Sequence, residues 1–502
     1  MDFLRYSLDE YKADLKSNGL EKTWEKILNI RMKFSDSNVS DIIKTRNFGE
    51  LYETGLAYTN KITKKEMGKY YTPEDVSYLL SDFFNDLKGD RICDVCCGVG
   101  NLILAYLKYI GKENARKIIL SDLLYLYDID KIALKICKYS IAFEYGMDCL
   151  NHIHCVHGDF MSKKIRLPEN CKVISNPPYF KITSFNSNWE ITDVIKTSKD
   201  LYSAFMEKII KNSLTSVIIT PFSFIGSDKF YSLRKVLNDY NGMIFSFDNV
   251  PANIFNGKKH GIFNTNCTNS VRATITVVEN KQDIKGFRVS PLIRFQTSER
   301  DDLLKKDSLM SLLPEMYLTV SDTRSKYPKC FKQLYDVYNS WVSTADGKFE
   351  DLLSNAKTDY SLSVPTTCRY FLSATKKELN RDGKNIFYFK DLKSYEYAYC
   401  ILNSSFAYWH WRLFDGGITY PTGLLKAMPI RLNHDCNMHD IVQNAQSHET
   451  DFLVYKKNAL NIQENVKFPL EYRDAFNQTI MRIFNIHADI RIFDCIHKNN
   501  IF

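Results

Sequence analysis

Nothing in this 502-residue sequence reads as a membrane-spanning helix, because it contains no run of about 18 apolar residues. No signal-peptide pattern opens it. Its 13 cysteines are odd in number and irregularly spaced, so reduced thiols in a cytoplasmic protein are expected rather than a disulfide framework. Zinc-ribbon spacing is missing as well. Cys93, Cys96 and Cys97 include one C-x-x-C pair, but no second pair lies at ribbon distance. Cys149, His152, His154, Cys155 and His157 look ligand-rich, yet Ile153 and Val156 alternate with them as in a strand. A tetrahedral site needs converging ligands, and no metal is expected. A strong charge imbalance is also lacking. The net charge of +8 is a mild excess that suits a polyanionic partner and equally a solvated, slightly basic surface.

The composition is that of an ordinary globular chain, 44% hydrophobic and 25% charged, with room for two or three domains of about 100–200 residues. Aromatic content is 14%; most of these rings belong in cores, and a few are free to stack on bases. The spacing of Leu8, Tyr11, Leu15 and Leu20, and of Trp24, Ile27, Leu28 and Met32, predicts a helical segment over 1–65. From about Met67 to Lys281 strands alternate with helices. Strands are expected at Arg91 to Val95, at Lys117 to Leu120 or Leu124 to Tyr127, near Ile153 to Val156, at Val173 to Ser175 and at Ser216 to Thr220. Helices are expected from Ile132 to Tyr145 and from Leu201 to Leu214. The pattern implies an α/β fold with a parallel sheet covered on both faces, whose ligands bind at the carboxyl ends of the strands. Its domain is bounded at 66–285. A separate α+β domain is expected over 286–435 and a helical tail over 436–502.

Asn176-Pro177-Pro178-Tyr179 follows the apolar run Val173-Ile174-Ser175 and so belongs in the loop at a strand's carboxyl end. An exocyclic amine such as adenine N6 is a poor nucleophile, because its lone pair is conjugated into the ring. A side-chain amide oxygen and a backbone carbonyl can accept both of its N–H bonds and free that lone pair. Asn176 and the Pro177 carbonyl supply the acceptors, and Tyr179 supplies a ring to hold the base flat. A plain Pro-Pro turn is the alternative.

Asp94-x-Cys96-Cys97-Gly98-Val99-Gly100 is a glycine turn between strand and helix, where a cofactor can lie against the backbone. A nucleotide, NAD or a tight turn alone are open readings. Ile103 replaces the third glycine of the dinucleotide pattern, which argues against NAD. Asp94 can face a cationic amine. Asp128 ends the next strand, closer to it than Asp130, and can hold both ribose hydroxyls. Asp159 ends the third and can accept from an adenine amino group, or simply cap a turn. Thr72 is expected as the N-cap of a helix beginning near Glu74, with Pro73 at its first position; such a helix start also binds anions.

The order of these pieces resembles the gamma-class N6-adenine DNA methyltransferases. The matching segments are Tyr71-Thr72-Pro73, Asp94 to Gly100, Asp128, Gly158-Asp159-Phe160 and Asn176 to Tyr179. Val95 and Val99 depart from the Pro and Ser usual there. The resemblance covers roughly 65–280 well. Beyond that it rests on Leu402-Asn403-Ser404-Ser405 and Met428-Pro429-Ile430. It implies a Rossmann-like methyltransferase sheet, S-adenosylmethionine as cofactor, and a C-terminal target-recognition domain at 286–435. Tyr71, Thr72, Pro73, Asp94, Cys96, Gly98, Gly100, Asp128, Ile129, Asp159, Phe160 and Asn176 then line the cofactor. Asn176, Pro177, Pro178 and Tyr179 are the catalytic loop, and Tyr179 and Phe255 stack on the target base. Phe255 is the best match to a later aromatic motif, although an extra stretch from His260 to Thr268 interrupts it. Double-stranded DNA is the implied partner. A basic run, Lys376, Lys377, Arg381, Lys384 and Lys390, interleaved with Phe387, Tyr388 and Phe389, reads as a phosphate-contact face or a solvated one. RNA adenine and protein-glutamine methyltransferases use the same loop but usually lack so long a C-terminal region. A catalytically silent DNA-binding subunit is a further alternative, disfavoured by the intact loops. No Pro-Asp…Asp/Glu-x-Lys constellation with its own fold is found, so a cognate restriction nuclease, if there is one, is expected as a separate chain.

Overall fold

The computed structural model describes residues 72–256, 271–281, 283–321, 325–368, 371–417, 419–458 and 461–497. The expected helical segment 1–65, Tyr71 and the stretch 260–268 lie outside these residues.

The core of the fold is an eight-stranded sheet. Its strands are β1 (Arg91–Val95), β2 (Leu124–Asp128), β3 (Ile153–His157), β4 (Cys171–Ser175), β5 (Thr215–Pro221), β6 (Asn241–Phe247), β7 (Ala273–Val278) and β8 (Gly286–Ile293). They lie in the order β3-β2-β1-β4-β5-β7-β6-β8. The first five strands are parallel, β7 is antiparallel to β5 and β6, and β8 is parallel to β6. The chain moves outward from β1 to β3 and returns beside β1 as β4, which makes a topological switch point between them, where such sheets bind ligands.

Both faces of the sheet are covered except along the edge strand β3, so the inner strands β4 to β7 are buried almost throughout. Adjacent residues part to opposite sides. Ile174 joins helices α1 (Glu74–Asn85), α2 (Asn101–Tyr109) and α4 (Lys131–Tyr145) in one core, whereas Val173 joins α5 (Leu201–Asn212) in the other. The segment left open between two strand readings resolves as helix α3 (Lys112–Leu120) and strand β2.

Two boundaries differ from expectation. β8 extends the sheet beyond residue 285; no helix separates it from β7, so the alternation that marked the earlier strands gives no cue there. Residues from 436 onward are not a plain helical tail. A hairpin, Leu453–Asn458 with Asn461–Val466, precedes α8 (Leu470–Ile483). α8 packs into the same aromatic-rich core as α6 (Leu392–Asn403) and α7 (Ser405–Phe414), with Phe476 edge-on to Tyr399 at 6.0 Å. Among the described residues no helix is long and apolar enough to cross a membrane.

Candidate active site

The Asn176 loop leaves β4 on the carboxyl rim of the sheet, beside β1 and β5. Ser175 anchors its root by donating from Oγ to the Val95 carbonyl at 2.6 Å. Asn176 donates from Nδ2 to Thr72 Oγ1 at 2.9 Å, and its Oδ1 lies 2.6 Å from the Tyr179 hydroxyl. That hydroxyl also lies 3.0 Å from the Ile219 carbonyl at the end of β5. The amide plane is thus fixed from both ends. Asn176, Pro178 and Tyr179 are half-buried and Pro177 is buried, so the loop keeps an accessible side. Phe255 is fully buried, with its ring centroid 6.2 Å from that of Tyr179 and the planes at 61°. It braces the Tyr179 ring rather than offering a free face of its own.

Thr72 is not a helix cap. Pro73 occupies the N-cap position of α1, and no side chain caps it. The Thr72 hydroxyl is taken up instead by Asn176, a partner 104 residues away that helix-start chemistry does not reveal.

The glycine turn after β1 lies at the switch point. Cys96, Gly98 and Gly100 all have positive φ (64°, 53° and 97°), which brings bare backbone to the strand end. A Cβ at Gly100 would meet Cys137 Sγ at 2.6 Å. Asp128 accepts from Gly98 N–H and Asp130 N–H, both at 2.7 Å, and so ties the turn to the end of β2. Asp130 accepts from Ala133 N–H at 3.2 Å, at the start of α4. Ile129, between them, is 65% exposed, an apolar surface available to a flat ligand.

Asp94 is the most telling group. It is fully buried, and neither carboxylate oxygen has a hydrogen-bond partner. Burial first, and then the charge of Asp128, push its pKa well above the usual carboxylate value, against the opposing pull of the Ile103 amide, which is near enough to act on the carboxylate without making a hydrogen bond of good geometry. A buried unpaired carboxylate is costly unless a cation meets it. The site therefore fits a positively charged ligand lying along the glycine turn.

At the third strand end, Asp159 accepts from Met161 N–H at 3.0 Å and from Trp189 Nε1 at 2.6 Å. Lys208 holds the same loop, donating to the carbonyls of Phe160, Ser162 and Ile165 at 2.5, 2.8 and 2.9 Å. Neither Trp189 nor Lys208 stands out in the sequence; an aromatic residue in the polar run Asn186-Ser187-Asn188-Trp189 is the one available signal. Phe160 does not face this site. Its side chain is buried against Tyr127 and Phe205.

Two other clusters part company. His152 and His154 both lie on Asp122, at 3.2 and 3.5 Å, while His157 meets the Ile129 carbonyl at 3.2 Å. In the basic run, Arg381 is 5% exposed and is spent on Thr367, Gly383 and Asn465. Lys384 pairs with Glu378 at 2.8 Å, and Phe387 and Phe389 are buried in the core. The run divides: Arg381, Lys384, Phe387 and Phe389 belong to the fold, whereas Lys376, Lys377 and Lys390 are exposed.

The first half of the chain is similar to a known family. Residues 44–283 match the family model described as N-6 DNA Methylase. Over that stretch, just under half of the chain, it is similar to N6-adenine DNA methyltransferases of the gamma-class type. It is 26% identical over 278 residues to the Type II methyltransferase M.VspI of Vibrio sp. (strain 343), covering 52% of this chain and 64% of that protein. It is 22% identical over 355 residues to the Type I restriction enzyme MpnII methylase subunit of Mycoplasma pneumoniae, covering 66% of this chain and 58% of that protein. A cryoEM structure of a DrdV–DNA complex aligns at 16% identity and a TM-score of 0.42, over 58% of this chain and 34% of that one. The chain thus spans less than two thirds of the length of each of these proteins.

Proposed function

We propose that this protein is an adenine-specific DNA methyltransferase, acting on N6 of an adenine rotated out of the duplex, within a restriction-modification system. The observation that carries the reading is the pairing of two features on one sheet edge. Asn176 is held rigid between Thr72 and Tyr179, and Asp94 is a buried carboxylate without a partner.

S-adenosylmethionine, when bound, supplies an electrophilic methyl group on a positively charged sulfonium. Asp94, Gly98, Gly100 and Thr72 are the residues assigned to its methionine end, Asp128 to its ribose, and Ile129 and Asp159 to its adenine. Asn176 Oδ1 and the Pro177 carbonyl accept the two N–H bonds of the target amine and localise its lone pair. A carbonyl oxygen has two lone pairs, so Asn176 can serve the base while keeping Tyr179. Stacked adenine is out of reach of such a site, so the base must leave the helix at a cost of a few kcal/mol, offset by stacking on Tyr179 and by the new hydrogen bonds. No covalent intermediate is required; positioning and polarisation supply the catalysis.

The aromatic-cored C-terminal region is assigned to target recognition, and a cognate nuclease to a separate chain. The test is direct. Purified protein is incubated with genomic DNA and methyl-tritiated S-adenosylmethionine, and the digested nucleosides are separated. Label is expected in N6-methyladenine. Label absent from DNA, or carried by cytosine, RNA or protein glutamine, would overturn the reading.

A further inference from the structure

A second site lies on the same rim, where the catalytic sheet meets the C-terminal region. A cavity of about 330 Å³ opens there, lined by Phe222, Ser223, Ser227, Arg272, Phe414 and Asp415 among others. It begins just past the Ile219 carbonyl that anchors Tyr179, at the end of β5. Arg272 immediately precedes β7, whose Ala273 pairs with Pro221.

Of the charged groups, Arg272 and Asp415 line the cavity, and more cations than carboxylates stand behind them. Arg272, Arg294, Lys329 and Arg412 cluster around two carboxylates, Asp248 and Asp415. Asp248 is 2.6 Å from Arg294 Nε, 3.6 Å from Arg412 Nη1 and 3.8 Å from Arg272 Nε, so one carboxylate serves three guanidinium groups. Asp415 is turned onto the Gly417 N–H at 2.6 Å. The Phe222 ring lies between two cations, with Arg272 at 5.2 Å and Lys329 at 5.0 Å from its centroid. Lys329 is 2% exposed and donates only to the Leu413 carbonyl. Arg412 Nη1 is buried without a hydrogen bond. Burial first, then Arg294 and Arg272, hold the Arg412 pKa down to about 10. Such a cluster is short of an anion.

The seam is also built for close approach rather than left as a gap. A Cβ at Gly226 would meet the Phe414 carbonyl at 2.5 Å. Arg272 donates to the Asp415 carbonyl at 3.3 Å, which holds the guanidinium at the mouth of the cavity, where it is the accessible cation.

Resting on the function proposed above, we propose that this cavity takes a phosphodiester group of the DNA strand carrying the target adenine. Arg272 and the Ser223 hydroxyl contact it directly, with Arg412 behind them supplying field. One strand beyond the Asn176 loop, it grips the backbone beside the rotated nucleotide. Of the expected run 376–390, Arg381 and Lys384 are spent within the fold, and the exposed Lys376, Lys377 and Lys390 do not line this cavity.

The probe is a synthetic duplex carrying the motif that the enzyme methylates, with the phosphodiesters flanking the target adenine replaced one at a time by methylphosphonate. For the wild-type enzyme, one replacement is expected to weaken binding roughly tenfold and to lower the slope of log affinity against log salt by about 0.9. Arg272→Gln should lose a similar amount on the unmodified duplex and become indifferent to that same replacement, Arg272→Lys should recover much of the loss, and Ser223→Glu should lose at least as much and regain part of it when that phosphodiester is made neutral. Ser223 is exposed, so Ser223→Glu tests the contact even if Arg272→Gln disturbs the seam. Wild-type affinity and salt slope in both Arg272→Gln and Ser223→Glu, with methylation by the wild type intact, would overturn the phosphate site alone. A wild-type enzyme that places no N6-methyladenine in any DNA would overturn the proposed function, and this site with it.

Discussion

Thr72 and Asn176, 104 residues apart, meet through a 2.9 Å hydrogen bond from the Asn176 amide to the Thr72 hydroxyl. The contact joins the segment before α1 to the Asn176 loop and sets the direction in which Asn176 Oδ1 points. Thr72→Val keeps the shape of the side chain and removes the acceptor. Losing one buried hydrogen bond of this kind costs about 1–3 kcal/mol, or roughly ten- to hundredfold in rate if it falls on the transition state. The expected result is a lower kcat with a smaller change in KM for S-adenosylmethionine, restored by Thr72→Ser. Steady-state methylation of DNA checks it.

Asp94 is expected to trade stability for binding. Its folded-state pKa is raised, so its contribution to stability is fully present below the unfolded carboxylate range and is lost as pH rises through the folded value. Asp94→Asn should therefore stabilise the ligand-free protein at pH 7, on the order of 1–3 kcal/mol, with little gain in acid. It should also weaken S-adenosylmethionine binding severely. Urea unfolding at two pH values and calorimetric titration give the two halves of this trade.

Trp189 positions Asp159 through the 2.6 Å bond from its indole nitrogen. Trp189→Phe retains the packing of a ring and loses the donor. A loss of about 1 kcal/mol, or several-fold in cofactor affinity, is expected, with kcat at saturating cofactor nearly unchanged. Equal losses in kcat and affinity would point to a collapsed loop instead.

His410 sets an acid limit. It is 3% exposed, bonded at 2.6 Å to the Tyr420 hydroxyl, and burial lowers its pKa from 6.5 to about 3. Because the unfolded chain takes up the proton first, stability is full above about 6.5 and falls as pH drops from there toward 3. By pH 5 the loss is about 2 kcal/mol. His410→Gln should show a shallower decline in urea midpoint between pH 7.5 and 5 than the wild type.

The parts of the site that sit on strand ends were legible in the sequence. Asp94, Asp128 and Asn176 each follow an apolar run, and period and turn chemistry place them together on one rim. What pairs across long separations was not legible. Thr72 looks like a cap because Ser and Thr before a helix usually are caps, and only the folded chain shows that Asn176 claims its hydroxyl. Phe160 lies next to Asp159, yet the chain turns there and carries its ring into the core against Tyr127 and Phe205. β8 lacks the intervening helix that announced the strands before it. Arg381 reads as a surface cation until Asn465, 84 residues on, is seen to hold it.

The central claim is that the Asn176 amide activates the adenine amine. Long-read sequencing of DNA from cells expressing either the wild type or Asn176→Ala tests it most directly, with S-adenosylmethionine binding measured on both purified proteins. The expected result is N6-methyladenine at a defined motif for the wild type, none for Asn176→Ala, and similar cofactor affinity in the two. Equal methylation in both strains would contradict it.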